Sequence, residues 1–302
     1  MNPNPKVSII TVNFKGNNDT SELLLCLRHC SYPNLEVIVV DNGSPEPPFH
    51  LEKQFPEYLF IFNKENLGFA GGNNLGIRQA SGDFIFLLNN DTLVKPGFIT
   101  PILQLFEQKP EAGIISPRLM YAFEPGIVQF AGSKGMNPYT GRSFSIGWKE
   151  KDQEAFHQSY PSSTAHGAAM CIRRSVLEKI GLMWEGYFLY YEELDFCERA
   201  KKAGFSIWYC GDSEVTHKES MSTGKDSPLK TYFLNRNRLL FIRRNMVGIQ
   251  KLSAFFFFCC FALPKNVLTL LLKGDTKRAG KIISGFAWNL THLRLPENTT
   301  LT

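Results

Sequence analysis

Carboxylates at two places in this sequence could hold a metal ion or accept a proton. Asp91 closes the polar segment Asn89-Asn90-Asp91, which directly follows the apolar residues 84–88. An apolar run that is too short for a helix and lacks polar alternation predicts a strand buried on both faces. Ligands of open α/β sheets bind beyond the carboxyl ends of such strands. Asp91 is therefore a candidate cation ligand, and a simple turn is the alternative.

The second place is an acidic cluster at a predicted helix start, formed by Glu192, Glu193 and Asp195. Acids favour a helix N-terminus because the helix dipole is positive there, which accounts for one or two of the three. Crowded like charges also raise the pKa of one member. A general base that works near neutral pH needs such a raised pKa.

A divalent cation at Asp91 would need few protein ligands. Mg²⁺ or Mn²⁺ bound to a diphosphate takes only one or two protein carboxylates, because the phosphates supply other ligands. His217 follows the short apolar segment at 215–216 and could be a second ligand. The alternative is a structural histidine.

Asp41 and a glycine-rich segment could recognise a nucleotide. The Asp41 carboxylate ends a predicted strand at 36–40 and suits the imino N–H of a uracil or thymine ring, or a ribose hydroxyl. An Asx turn is the alternative. In the segment 66–74, Gly68, Gly71 and Gly72 would allow close backbone approach and offer helix-start amides to phosphate, unless the segment is a flexible loop. These glycines follow the third predicted strand and do not have the spacing of a dinucleotide-binding fingerprint, which argues against a nicotinamide dehydrogenase.

Alternating strands and helices must position these residues. A predicted strand at 6–14, a helix from 19 and a strand at 36–40 form a βαβ unit. Asp19 and Glu22 are a predicted capping pair for the helix. Further strands are predicted at 59–62, 84–88, 112–116 and 205–209, and further helices at 96–107, 175–180 and 228–245. The pattern weakens from 120 to 161, where we expect loops and irregular strands that face a substrate. The fold class is α/β, with a mostly parallel central sheet flanked by helices.

Composition excludes several classes of protein. With 43% apolar and 20% charged residues among 302, the chain is not disordered. Its seven cysteines are odd in number and include no CxxC pair, so they indicate neither a disulfide framework nor a zinc site. The N-terminal residues lack a basic region before the first apolar run, and we therefore expect a cytoplasmic protein. The net charge of +5 is unevenly distributed, because the residues from 225 onward carry 13 basic and 3 acidic side chains.

Five segments in this order resemble glycosyltransferase family 2, and particularly its bacterial rhamnosyltransferase-like branch: 7–14, 39–44, 66–74, 87–92 and 191–200. The resemblance spans about residues 5–245. It implies a GT-A fold, a divalent cation, and inverting transfer from a nucleotide-diphosphate sugar. The implied reaction moves rhamnose or a similar sugar from a dTDP- or UDP-sugar to a hydroxyl of a lipid-linked or growing cell-surface polysaccharide. A catalytically silent nucleotide-sugar-binding or scaffold protein of the same fold is the alternative.

The resemblance also implies roles for single residues. Glu193 matches the catalytic base, with Glu192 and Asp195 as other candidates, and Asp91 and His217 match the metal ligands. Asn89 and Glu193 depart from the family pattern, because aspartate is usual at both positions. Metal binding would then depend more on Asp91 and His217, and the choice of base stays open. The implied contacts to the nucleotide sugar come from Thr11, Asn13, Asp41, Asn66, Gly68, Phe69, Gly71, Asn73, Asn89 and Asn90.

The C-terminal region, 226–302, is predicted as a separate basic and apolar helical region beside a catalytic domain at 1–225. Ser227-Pro228 is a good helix start. Pro264 interrupts the apolar stretch 252–272, so that neither half reaches the ~20 residues that span a bilayer. We predict an in-plane or re-entrant contact with the inner face of the cell membrane, flanked by basic residues. The alternative is a helix packed on the catalytic domain or on a dimer partner. No nucleic-acid partner is expected, and the oligomeric state is left open, a dimer included.

Overall fold

The computed structural model describes residues 4–219, 226–295, 297, 300 and 301. The described residues form an 11-stranded mixed sheet and a two-stranded sheet, with helices on both faces of the large sheet. The strands are β1 (Val7–Asn13), β2 (Leu35–Asn42), β3 (Leu59–Asn63), β4 (Phe84–Leu88), β5 (Thr92–Val94), β6 (Ala112–Tyr121), β7 (Ile127–Phe130), β8 (Ser133–Asn137), β9 (Arg142–Ser145), β10 (Glu150–Lys151), β11 (Tyr160–Pro161), β12 (Ala169–Arg173) and β13 (Ser206–His217). The α-helices are α1 (Asn17–Arg28), α2 (Phe49–Gln54), α3 (Gly68–Gln79), α4 (Ile99–Gln108), α5 (Arg174–Ile180), α6 (Glu192–Lys202), α7 (Pro228–Asn245), α8 (Gly248–Phe257), α9 (Leu263–Leu272) and α10 (Thr276–Thr291).

The strand that precedes Asp91 lies in the middle of the large sheet. The sheet order is β10-β7-β6-β12-β4-β1-β2-β3, and the strands β4, β1, β2 and β3 are parallel. All five residues of β4 are buried, as predicted. Apolar side chains of α1 and α4 pack on one face of the sheet, and those of α3, α5 and α6 pack on the other. The carboxyl ends of β1, β2 and β4 therefore meet at one edge, where the polar residues lie.

Three local predictions were wrong. The glycine-rich segment is not a loop, because α3 begins at Gly68 and includes it. Its glycines let the helix lie close to the sheet: a Cβ at Gly72 would be 2.8 Å from Val12 Cγ1. Asp19 and Glu22 do not form a capping pair, since both carboxylates bind Lys218 Nζ, at 2.6 and 2.8 Å. The two segments predicted at 205–209 and 215–217 belong to one irregular strand, β13.

In its described residues, the C-terminal region consists of α7, a long helix made of α8, a π-turn and α9, and then α10. Ser227 caps α7 as predicted, because its hydroxyl accepts a hydrogen bond from Lys230 N. The predicted interruption at Pro264 is wrong, since a helix continues from Gly248 to Leu272. Residues 258–262 form a π-turn just before the proline, and this wider turn accommodates a residue that lacks an N–H.

This long helix has one covered face. Ala254, Phe258 and Ala262 are buried against the domain, whereas no residue of α9 is buried. By length and composition, Gly248–Leu272 is the one helix in the described residues that could cross a membrane, with a mean hydropathy of 1.9. Two basic residues that flank this helix in sequence form intramolecular ion pairs: Arg244 binds Asp195, and Arg278 binds Asp226.

Candidate active site

A cleft of about 350 Å³ opens at the carboxyl edge of the sheet. One wall is formed by the residues that follow β4, including Asp91, and the facing wall by the loop at 188–190 and the start of α6, including Glu193. The two acidic groups that the sequence singled out therefore share one cleft. Of the predicted site residues, it is lined by Asn66, Gly68, Phe69, Asn73, Asn89, Asn90, Asp91, Glu192, Glu193 and His217. Those that do not line it are Thr11, Asn13, Asp41, Gly71 and Asp195.

Asp91 and His217 lie side by side at the base of the cleft because β5, which follows Asp91, pairs with the end of β13. His217 Nε2 is 3.1 Å from Asp91 Oδ1, and both side chains are more than nine-tenths buried. His217 Nδ1 lies 2.8 Å from Gln129 Oε1. An amide oxygen only accepts, so Nδ1 carries a proton and the Nε2 side of the ring faces the carboxylate.

This pair fits a divalent cation. A neutral imidazole nitrogen and a carboxylate oxygen are both acceptors, and at 3.1 Å they need a proton or a cation between them. Two ligands bonded to one metal ion at about 2.1 Å and at a right angle are about 3 Å apart. In the described part of the chain no cluster of three or more His, Cys, Asp or Glu side chains could hold a metal. Asp91 and His217 would therefore share the ion with oxygens of a substrate.

The two adjacent glutamates differ in their environments. Glu192 is only 2% exposed, and its Oε2 has no hydrogen-bond partner in the described residues. Burial, with a contribution from neighbouring Glu193, raises the pKa of Glu192 well above its usual value. Burial also raises the pKa of Glu193, to about 6. Glu192 therefore holds its proton more strongly than Glu193, which leaves Glu193 as the group better able to accept a proton.

Asp195 is a correction to the sequence analysis. Its side chain is fully buried and lies outside the cleft. Arg199 Nε and Arg244 Nε donate to it at 2.9 and 2.8 Å, and Asn245 Nδ2 at 2.9 Å. Asp195 therefore ties α6 to α7 and is not a candidate base, because its buried carboxylate is occupied by these three donors and does not reach the cleft.

Asp41 takes part in a buried hydrogen-bond network. Asn13 Nδ2 donates to Asp41 Oδ1 at 2.7 Å, and Ser44 N donates to Oδ2 at 3.1 Å. The Asx-turn alternative is thus the one formed, and recognition of a base by Asp41 stays a prediction. Thr20 Oγ1 donates to Asn13 Oδ1, and Asn90 Nδ2 donates to Thr20 Oγ1. The network joins the ends of three parallel strands, and the Thr11 hydroxyl is buried beside them.

The start of α3 does not offer its amides as expected. Gly68 N donates to Asn66 Oδ1 at 2.8 Å, and Phe69 N donates to the carbonyl of Phe188 at 2.7 Å. A phosphate therefore cannot use these two N–H groups in this conformation. Gly68 has a φ of +72°, and a Cβ there would overlap the Phe188 carbonyl, so glycine is needed for this contact between the two walls.

The sequence analysis missed several residues of the cleft, among them Gln129 and His166. Gln129 comes from the weakly patterned region, where no signal singled it out. His166 begins a segment in which the sequence pattern indicated ordered structure but no functional residue. Its ring is 6.1 Å from that of His217, and its Nδ1 accepts from Ala168 N at 3.1 Å. Burial lowers the pKa of His166 to about 3, so the imidazole is neutral.

Comparison with known proteins identifies the family. The pattern of the family described as Glycosyl transferase family 2 matches residues 8–181. The low-salt glycan biosynthesis hexosyltransferase Agl10 of Haloferax volcanii is 30% identical over 239 residues, which cover 78% of this chain and 74% of that protein. The N-acetylglucosaminyl-diphospho-decaprenol L-rhamnosyltransferase of Mycobacterium tuberculosis is 23% identical over 240 residues, which cover 72% and 78% of the two chains.

Solved structures share the fold at lower identity. The Pyrobaculum calidifontis mannosyltransferase PcManGT, in complex with GDP-Man and Mn²⁺, aligns with a TM-score of 0.61 and 14% identity over 96% of this chain and 88% of that one. S. aureus TarS in complex with UDP aligns with a TM-score of 0.56 and 15% identity over 84% and 70%. These likenesses show the GT-A fold. Together with the extent of the family match, they establish that this chain belongs to glycosyl transferase family 2.

Proposed function

We propose that this transferase inverts the anomeric centre of its donor and depends on a divalent cation. The observation that carries the proposal is the single cleft in which Asp91 and His217 face Glu193. A metal-binding pair on one wall and a carboxylate with a raised pKa on the other are the groups that a direct displacement at a sugar carbon requires.

In the proposed reaction, Glu193 acts as the general base. It takes the proton of an acceptor hydroxyl as the hydroxyl oxygen attacks the anomeric carbon from the face opposite the nucleotide. Glu192 stays protonated beside it, so that only one negative charge occupies this end of α6. Asp91 and His217 would hold Mg²⁺ or Mn²⁺, and the ion would neutralise charge on the departing diphosphate.

We propose a dTDP- or UDP-sugar as donor, with rhamnose or a similar sugar, and a lipid-linked or growing cell-surface polysaccharide as acceptor. The mycobacterial relative, a rhamnosyltransferase named for a decaprenol-linked acceptor, supports the sugar and the acceptor class. The complex of TarS with UDP supports a pyrimidine nucleotide. Asn66, Asn73 and Asn89 line the cleft and are candidates to hydrogen-bond the sugar or the phosphates.

A thermal-shift panel tests the donor and the cation together. Thermal unfolding would be followed with UDP, dTDP and GDP, each with and without Mn²⁺ or Mg²⁺. We expect a rise in Tm that requires the metal and is largest for UDP or dTDP. Asp91→Ala should remove most of the metal-dependent part of that rise. Protection that is equal with and without metal would contradict the role of Asp91. Tight binding of the nucleotide sugar without sugar transfer in the presence of any metal would instead support the alternative, a catalytically silent nucleotide-sugar-binding protein.

We also propose that the long apolar helix lies in the plane of the cytoplasmic membrane face. Its first half is docked on the domain through Ala254, Phe258 and Ala262, so the helix cannot cross a bilayer without drawing the domain in. Its second half exposes Leu268 and Leu272, which are 57% and 80% exposed, next to Lys265 and Lys273. Apolar side chains beside lysines fit an anionic lipid surface.

Membrane fractionation tests this proposal. The double variant Leu268→Asp, Leu272→Asp should move the protein from the membrane fraction to the soluble one. The double variant Gln104→Asp, Gln108→Asp, at exposed positions of α4 with the same spacing, would control for the added charge. Unchanged retention of the double variant would contradict the in-plane contact.

A further inference from the structure

The loop that leads into the two glutamates has a strained backbone. Phe188, Tyr190 and Tyr191 have φ values of 66°, 68° and 80°. Such left-handed values are uncommon for residues other than glycine, and they are costly for bulky side chains. A strained conformation of this kind persists only where the surrounding structure holds it. The next residues along the chain, Glu192 and Glu193, take their positions from this loop.

One buried side chain of α7 binds the loop at three points. Asn237 is 0% exposed, and its Nδ2 lies 3.0 Å from the carbonyl oxygen of Tyr187, 2.7 Å from that of Leu189 and 2.8 Å from that of Tyr190. The backbone of the loop supplies one donor to these carbonyls, since Leu189 N donates to the Tyr187 carbonyl at 2.8 Å, and Asn237 is the side chain that contacts all three. The amide of Asn237 therefore stabilises the loop where its backbone is most strained.

Arg236 fixes the orientation of that amide. Its Nε donates to Asn237 Oδ1 at 2.7 Å, which directs the Nδ2 group toward the loop. Its Nη2 donates to the carbonyl oxygens of Gly186 and Tyr187, at 2.8 and 2.6 Å. The Arg236 guanidinium itself is held over the Trp288 ring of α10, 4.6 Å from the ring centroid.

We propose that Asn237, oriented by Arg236, is a positioning residue for sugar transfer. It does not line the cleft. It acts by holding the loop at 188–191 in the one conformation that places Glu193 at the acceptor hydroxyl. The inference rests on the proposed function, in which Glu193 is the base. It assigns to the C-terminal region a part in the chemistry in addition to any contact with a membrane.

Two substitutions at this position separate hydrogen bonding from packing. Asn237→Ala removes the amide, and Asn237→Asp keeps its size but directs oxygens at three carbonyl oxygens. We expect kcat to fall by about 100-fold in both, the size of loss that follows a displacement of about 1 Å of a catalytic group. The KM for the donor should change less than about threefold. Amide hydrogen exchange of the full-length protein should accelerate at 186–193 and stay unchanged in the strands β1, β2 and β4.

Asn289 provides the matched control. It is also a buried asparagine, and its Nδ2 donates to the carbonyls of Arg236 and Gly285 at 2.9 and 3.0 Å, between α7 and α10 and away from the loop. Asn289→Ala should lower Tm by a similar amount and leave kcat within about threefold. Because Asn289 binds the backbone of Arg236, hydrogen exchange is measured for this variant as well. Equal losses of kcat in the Asn289 and Asn237 variants, with exchange at 186–193 unchanged in Asn289→Ala, would show that both act through stability alone and would overturn the proposal.

A milder variant covers the case in which the Asn237 variants do not fold. Arg236→Lys keeps the charge but cannot make the Nε contact that orients Asn237, and we expect about a tenfold lower kcat with faster exchange at 186–193. Wild-type kcat and exchange in Arg236→Lys would overturn the proposal. If the wild-type protein transferred no sugar, the proposed function would fail, but the exchange at 186–193 would still decide whether Asn237 holds the loop.

Discussion

The two walls of the cleft hold their polar groups in opposite ways. Behind the sheet wall, Asn13, Asp41 and Asn90 are joined by a continuous set of side-chain hydrogen bonds through Thr20, and of these residues Asn90 lines the cleft. The glutamate wall, residues 186–193, has left-handed backbone and a buried carboxyl oxygen on Glu192 that lacks a hydrogen-bond partner in the described residues. Satisfied networks stabilise a fold, whereas strained and poorly solvated groups are typical of reactive sites. The comparison assigns stability to the network behind the first wall, whereas the proposed chemistry belongs to Asp91 and His217 at the cleft surface and to Glu193 on the second wall.

The largest expected effect is on the glutamate wall. Glu193→Gln keeps the size of the side chain but removes its ability to accept a proton, and we expect kcat to fall by about 10³-fold. Transfer is measured at saturating donor and acceptor. The control is Glu198→Gln on the same helix, since Glu198 pairs with Lys201 at 2.6 Å and does not line the cleft. It should leave kcat within about twofold. Near-normal transfer by the Glu193 variant would show that another group is the base.

The pH dependence of transfer should report the same group. Glu193 must be ionised to accept a proton, and its pKa is raised to about 6 by burial. Below pH 6 we therefore expect kcat/KM to fall about tenfold for each pH unit. The residual activity of Glu193→Gln should lack this acid limb. An acid limb that persists in the Gln variant would assign the titration to a different carboxyl group.

The next effect, on the sheet wall, is expected in stability. Asn13→Ala removes the amide that donates to Asp41 and accepts from the Thr20 hydroxyl. The Asp41 carboxylate and the Thr20 hydroxyl then stay buried without this partner. The free energy of unfolding should fall by about 2 kcal/mol, as is usual when a buried polar group loses its partner. Urea denaturation measures it. A decrease in the free energy of unfolding below about 0.5 kcal/mol would contradict the comparison, because the hydrogen-bond network would then contribute little to stability.

The smallest effect has the opposite sign. Burial raises the pKa of Glu193 from 4.5 in the unfolded chain to about 6, so the folded protein binds more protons between these values. The contribution of Glu193 to stability is then fully present below pH 4.5 and is lost as pH rises through 6. Glu193→Gln should accordingly be more stable than the wild type at pH 7, by about 1–2 kcal/mol. This gain should disappear near pH 4. Equal stabilities at pH 7 would mean that Glu193 is well solvated.

The sequence predicted the parts of this site that lie at strand ends. Apolar runs such as 84–88 identify central strands, and parallel strands bring their carboxyl ends to one edge, which is why Asp91 and the end of β2 were located correctly. The fold class and the family resemblance were confirmed. The capping pair at Asp19 and Glu22 was wrong because Lys218, nearly 200 residues away in sequence, takes both carboxylates. A local pattern cannot anticipate such a distant partner.

Other features depend on tertiary contacts in a similar way. Asp195 resembled a catalytic acid until Arg244, from a later helix, was found beside it. Local sequence rules also place a helix boundary at Pro264, because they do not include the π-turn that lets the helix continue. The left-handed conformations at 188–191 occur at Phe and Tyr, where no sequence signal favours them. The boundary between a catalytic domain at 1–225 and a region from 226 stays a prediction.

The hydrogen bonds from α7 to the loop before Glu192 limit where this protein can be truncated or recombined. A version that ends at residue 225 would keep the sheet and every acidic residue of the cleft, yet it would lack Arg236 and Asn237 and so lose the support of its strained segment. Chimeras that exchange tails between relatives should therefore be joined after Asn245, where α7 ends. A replacement for the helices beyond that point would have to supply an aromatic ring over Arg236, as Trp288 does, to leave the cleft intact.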